Sequence, residues 1–108
     1  MTAVFVAGVA SAHAAPLTGD EIKQQLAGKE LKLKNGRVTG TVTYNADGTA
    51  KLSLPALKVS DTGVWTTKGN QICVTWKAER EGKETCATVE TVRSKVYRTG
   101  TGVELTAP

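Results

Sequence analysis

The sequence predicts a mainly β fold: a small antiparallel meander or β-barrel of seven to nine strands with one short N-terminal helix. Three observations carry that expectation. From Lys29 onward apolar residues recur with a period of two, as in Glu30-Leu31-Lys32-Leu33-Lys34 and Gln71-Ile72-Cys73-Val74-Thr75-Trp76. Turn residues interrupt this pattern about every 8–12 residues, which spaces the strands for a meander. Only the stretch from Thr18 to Gly28 carries helix signals.

The helix is expected over Gly19 to Ala27. Thr18 and Glu21 have the spacing of a capping box, each side chain satisfying a backbone N–H of the first turn. Leu17 and Ile22 are placed as a hydrophobic staple, Ile22 and Leu26 share a face, and Gly28 stops the last turn. A helix this short is unstable alone in water, so it must pack as a lid or plug on the sheet.

The strands follow in order. Asn35-Gly36 joins Glu30–Lys34 to Arg37–Tyr44 as a hairpin, with Val38, Val42 and Tyr44 on one face and Gly40 marking a bulge or a bend. Asn45-Ala46-Asp47-Gly48 leads into Thr49–Leu54, which Pro55 ends, with Leu57 and Val59 continuing the sheet beyond a kink. Ser60-Asp61-Thr62-Gly63 reads as a turn before Val64–Thr67. Strands are then expected at Gln71–Ala78, Glu84–Val92, Ser94–Thr99 and Val103–Thr106. Closure of such a sheet removes the exposed edges that a small β protein otherwise has to protect.

A chain of 108 residues allows one domain, which buries roughly 60–70% of its unfolded surface. Ala3 to Ala10 is a short apolar run followed by Ala12-His13-Ala14, a small-x-small cleavage pattern. We read residues 1–14 as a secretory signal and 15–108 as the single mature domain, although no Lys or Arg precedes the run. Ala10-Ser11-Ala12 is a second possible cleavage site, and a buried N-terminal element is the alternative to a signal. The run is too short for a transmembrane anchor, which takes about 20 residues as a helix. The expected location is the periplasm or the exterior. Cleavage after Ala14 would remove His13, the chain's single histidine, and with it any Ser-His or Cys-His pair.

Every charged residue lies after Ala14, 14 basic against 10 acidic, for a net charge of +4. That sign favours anionic surfaces. The lysines are spread along turns and outward strand positions, without the clustered bases and stacking aromatics of a nucleic-acid site, so no nucleic-acid partner is expected. There is no Gly-rich phosphate loop and no calcium-loop spacing, so neither a cofactor nor a metal is expected.

Two cysteines in an exported chain predict a disulfide between Cys73 and Cys86. Register is the difficulty. A turn centred on Glu81-Gly82 would set Cys73 opposite Glu90 and Cys86 opposite Lys77. That offset is about 13 Å along the strands, whereas a disulfide spans only about 4.4–6.8 Å between Cα atoms. The bond therefore needs a bulge, a shifted register, or a turn centred near Glu79-Arg80 that brings the cysteines opposite each other.

The aromatic residues have two readings: bulk of the core, or lining of a ligand pocket at a barrel mouth. Trp65, Trp76, Tyr44 and Tyr97 are the candidates for the pocket. Gly63-x-Trp65, Gly69-Asn70-x-x-Cys73-x-x-Trp76, Cys86-x-x-Val89, Tyr97-Arg98 and the leading Leu17-Thr18-Gly19-Asp20-Glu21 resemble a family of small exported alphaproteobacterial proteins grouped as a domain of unknown function. The resemblance implies a periplasmic or secreted location and brings no catalytic set. Gly63-x-Trp65 is also similar to the Gly-x-Trp signature of lipocalins, but it sits mid-chain in a chain too short for a full lipocalin.

These readings favour a non-catalytic binding protein whose partner is a small apolar ligand, an anionic envelope component or another protein. An inhibitor of a lysozyme-type cell-wall hydrolase is an alternative, with Glu79, Glu81 and Glu84 as its acidic loop. A carboxylate-dependent enzyme using Glu79, Glu84 or Glu90 is another, set against their ordinary reading as solvated charges.

Overall fold

The computed structural model describes residues 15–108, so the expected signal, with His13, lies outside the described residues. The chain forms helix α1 (Gly19–Leu26) and eight strands: β1 (Glu30–Asn35), β2 (Val38–Tyr44), β3 (Thr49–Leu54), β4 (Val59–Lys68), β5 (Gln71–Trp76), β6 (Thr85–Arg93), β7 (Val96–Thr99) and β8 (Glu104–Thr106). Each strand pairs antiparallel with the next in sequence. Pairing of Leu33 with Leu105 joins the first strand to the last and closes the barrel. The expected meander is thus a closed barrel with no free edge among these strands.

The period-two pattern sets the inside. Leu31, Val42, Leu52, Ile72, Val74, Val89, Tyr97 and Leu105 point inward and form the core with α1. The capping box forms as expected: Thr18 N–H donates to Glu21 Oε1 at 2.9 Å and Glu21 N–H to Thr18 Oγ1 at 3.2 Å. Ile22 and Leu26 are fully buried against the barrel end. Leu17 N–H donates to the Val89 carbonyl and Gly28 N–H to the Tyr44 carbonyl, both at 2.7 Å, so both flanks of the helix are bonded to strands. A Cβ on Gly19 would lie 2.8 Å from the Gly69 carbonyl, so the helix start sits directly on the β4–β5 turn. The helix plugs this end.

Several local expectations are corrected. The first hairpin turns at Gly36-Arg37, closed by Asn35 paired with Val38, and not at Asn35-Gly36. Gly36 takes the positive φ, 63°, at the first turn position, where a side chain is least tolerated. This moves the pairing by two residues, so the same side chains still face inward. Gly40 makes no bulge: its pairing with Leu33 is regular, and an added Cβ would collide with the Ser53 carbonyl of β3.

The segment Ser60-Asp61-Thr62-Gly63 is no turn but the middle of the ten-residue strand β4. Its turn-forming groups are occupied by tertiary contacts. The Asp61 carboxylate binds backbone from after β5, and Gly63 admits the Thr75 carbonyl where a Cβ would collide. Between β3 and β4, Pro55–Leu57 forms a 3₁₀ turn that ends at Lys58 with φ 55°. Strand β5 ends at Trp76, earlier than expected, leaving a long connection to β6.

Candidate ligand cavity

The end opposite α1 is open. A cavity of about 280 Å³ enters the barrel there, walled by Val42, Leu52, Ile72, Val74 and Leu105 and reaching Tyr44. Polar side chains meet it at the rim, where Asn35, Glu79, Arg80 and Thr101 stand beside Leu57. The interior is therefore filled at one end and hollow at the other, because the helix supplies Ile22 and Leu26 to only one end. Two further depressions, one beside Lys51 and Val64 and one beside Lys34 and Thr39, lie on the outer wall between strand side chains.

One side of the mouth is the β5–β6 connection, which includes a 3₁₀ turn at Glu79–Gly82. Its conformation is unusual: Arg80 and Glu81 are left-handed, with φ of 59° and 56°, ahead of Gly82 at 72°. For a residue with a Cβ this region costs roughly 1–2 kcal/mol, so something must hold the loop. Asp61 does so. Its Oδ2 accepts the N–H groups of Ala78 at 3.0 Å and Glu79 at 2.8 Å, and its Oδ1 accepts that of Thr62 at 2.8 Å. Lys77 N–H adds a bond to the Thr62 carbonyl at 3.0 Å. The Glu79 N–H, followed by those of Ala78 and Thr62, holds the Asp61 carboxyl below the usual aspartate range, although burial opposes this.

The disulfide fixes the same loop from the strands. Cys73 and Cys86 are bonded and directly opposite, with Cα atoms 4.0 Å apart. The hairpin centres between Glu79 and Arg80, which resolves the register question. Both cysteines lie on the outer face, since Ile72 and Val74 point in. Glu84 lies close to the two sulfurs and binds Lys68 Nζ at 2.9 Å. With the sulfurs joined, this cluster offers a metal ion only the Glu84 carboxylate.

The four aromatic candidates separate. Tyr44 and Trp76 line the cavity, Tyr44 deep and Trp76 near the rim. Trp65 does not: it is buried in the core near the plugged end, its indole N–H donating to the Asn45 carbonyl at 2.7 Å and its ring 5.6 Å from that of Tyr44. Tyr97 is likewise a core residue, paired between Thr91 and Leu105. Burial pushes the Tyr44 hydroxyl up to about 12, so it stays neutral at any ordinary pH.

The three carboxylates considered for catalysis do not converge. Glu79 stands at the mouth, Glu84 is paired to Lys68 outside the barrel, and Glu90 is exposed on β6 opposite Arg98. Asp61, Leu57 and Arg80 were not legible as parts of one mouth. The available signal was Asp61 itself, at an inward position of the alternation Val59-x-Asp61-x-Gly63-x-Trp65.

Among the described residues no helix is long and apolar enough to cross a membrane. Comparison of the chain with protein-family models, curated proteins and solved structures finds no match.

Proposed function

We propose that this is a non-catalytic, exported binding protein that takes a small apolar ligand into the open half of its barrel. The observation that carries the reading is the 280 Å³ cavity with apolar walls and a polar rim. That arrangement suits ligand sites, in which a few polar groups orient a mostly apolar guest. Since a dry cavity of about 150 Å³ holds benzene, with six heavy atoms, this one has room for on the order of ten. The disulfide supports a periplasmic or secreted setting, where such bonds persist. The inhibitor reading gains nothing comparable: Arg80 and Lys83 interleave the acidic residues of its loop and Lys68 pairs with Glu84.

The test is titration with the neutral fluorescent probe 1-aminonaphthalene, whose size matches the cavity. Saturable, one-to-one enhancement that a bulky side chain in the cavity abolishes is expected. Absence of saturable binding by the folded, oxidised protein would refute the proposal.

A further inference from the structure

We propose that the cavity takes a single-chain amphiphile with an anionic head, its alkyl chain inside the barrel and its head against Arg80 at the mouth. This rests on the cavity reading above and adds the chemistry of the guest. The first support is the gradient along the barrel axis. Past the rim the walls are mostly aliphatic and aromatic, with Thr85, Thr99 and the Tyr44 hydroxyl as uncharged polar groups, and among the described residues only Glu79 and Arg80 bring a charged side chain to the cavity. A charged head inside would lose its water with no charged partner to replace it. At the rim it keeps its hydration and finds donors.

The second support is the balance of charge around the mouth. The rim connections carry Arg37, Lys58, Lys77, Arg80 and Lys83 against Glu79, Glu81 and Glu84. Among the described residues Glu81 pairs with Lys83 at 3.8 Å and Glu84 with Lys68 at 2.9 Å. That leaves Glu79 against Arg37, Lys58 and Arg80 on these connections, none of them in a salt bridge among the described residues, while Lys77 borders the outer-wall depression beside Lys51 and Val64. Asp61 lies beneath the loop, but both its oxygens are engaged by backbone N–H groups. The free charge at the mouth is therefore positive, and a guanidinium is well suited to a carboxylate or phosphate.

The third is size and lip. A space for about ten heavy atoms fits one medium alkyl chain and not the paired long chains of a bilayer lipid. Leu57, 55% exposed yet lining the entrance, is an apolar lip over which a chain can slide.

The experiment displaces 1-aminonaphthalene from the oxidised protein with decanoate, decanol and decyltrimethylammonium, and separately with vesicles of an anionic two-chain lipid. At low salt decanoate should bind about five- to tenfold more tightly than decanol, the effect of one charge-assisted contact at an exposed rim. The cation should be weakest and the vesicles without effect. Raising salt from about 20 mM to about 500 mM cuts the screening length from roughly 20 Å to about 4 Å and should shrink the decanoate advantage. Arg80→Glu should abolish it. Each methylene added, up to the length that fills the cavity, should tighten binding about fourfold. If the probe binds but decanol matches decanoate, or the cation or the vesicles win, the anionic single-chain assignment is overturned while the cavity reading stands. If neither probe nor amphiphile binds, both fall together.

Discussion

The carboxylate of Asp61, in the middle of β4, accepts the backbone N–H of Glu79 at 2.8 Å, across 18 residues of sequence. One buried side chain thereby ties the barrel wall to a mouth loop that contains two left-handed side-chain-bearing residues.

Replacing Asp61 by Asn should lower thermal stability at neutral pH and increase amide exchange at Ala78 and Glu79. The effect depends on pH. The Asp61 carboxyl is held below its unfolded value, so its contribution is complete above the unfolded aspartate pKa of about 3.9. It is lost as pH falls through the lower folded value. Wild type and Asp61→Asn should therefore differ most near neutrality and converge in acid. Asp47, also lowered through its bonds to Thr49, titrates in the same direction but is present in both proteins and cancels in the comparison.

Reduction of Cys73–Cys86, or Cys73→Ser with Cys86→Ser, should destabilise the domain by about 3 kcal/mol, the loop-closure effect for this spacing. Urea unfolding with and without reductant measures it. The β5–β6 connection should be the first region to lose amide protection, because the bond sets the register from which that loop springs.

Ala87 is half-buried and lines the cavity, so Ala87→Phe adds a ring to empty space and not to packed core. It should reduce probe binding at least tenfold while leaving the melting temperature unchanged or higher, since burial of a phenyl stabilises by up to about 2 kcal/mol. A large fall in stability would mean that the space is not there.

At the closed end the expected effects concern stability alone. Ile22→Ala should cost about 2–5 kcal/mol, because Ile22 is fully buried. Thr18→Ala should cost about 1 kcal/mol through loss of the capping box. Denaturant midpoints separate the two.

The barrel was legible because alternation, turn residues and a capping box are local signals, and each specifies its own element. Leu31, Val42, Leu52, Ile72 and Val74 point inward in the structure as their spacing requires. What sequence could not give was the use of groups with two possible fates. Asp61 and Gly63 have turn chemistry, yet they serve long-range contacts within a strand. Trp65 and Trp76 look equivalent as aromatic residues on neighbouring strands, but Trp65 faces its partner Tyr44 near the plugged end and Trp76 lies toward the mouth. Which end of the barrel the helix plugs decides that difference, and that is a property of packing, invisible in a period of two.

The most direct measurement is a methyl-resolved NMR titration of the oxidised protein with decanol. Saturable shifts are expected at Leu33, Val42, Leu52, Ile72 and Val74, which line the cavity, with Leu26 and Val96 at rest. Shifts confined to the exposed side chains of Val64 and Val92, or none at all, would contradict a ligand inside the barrel.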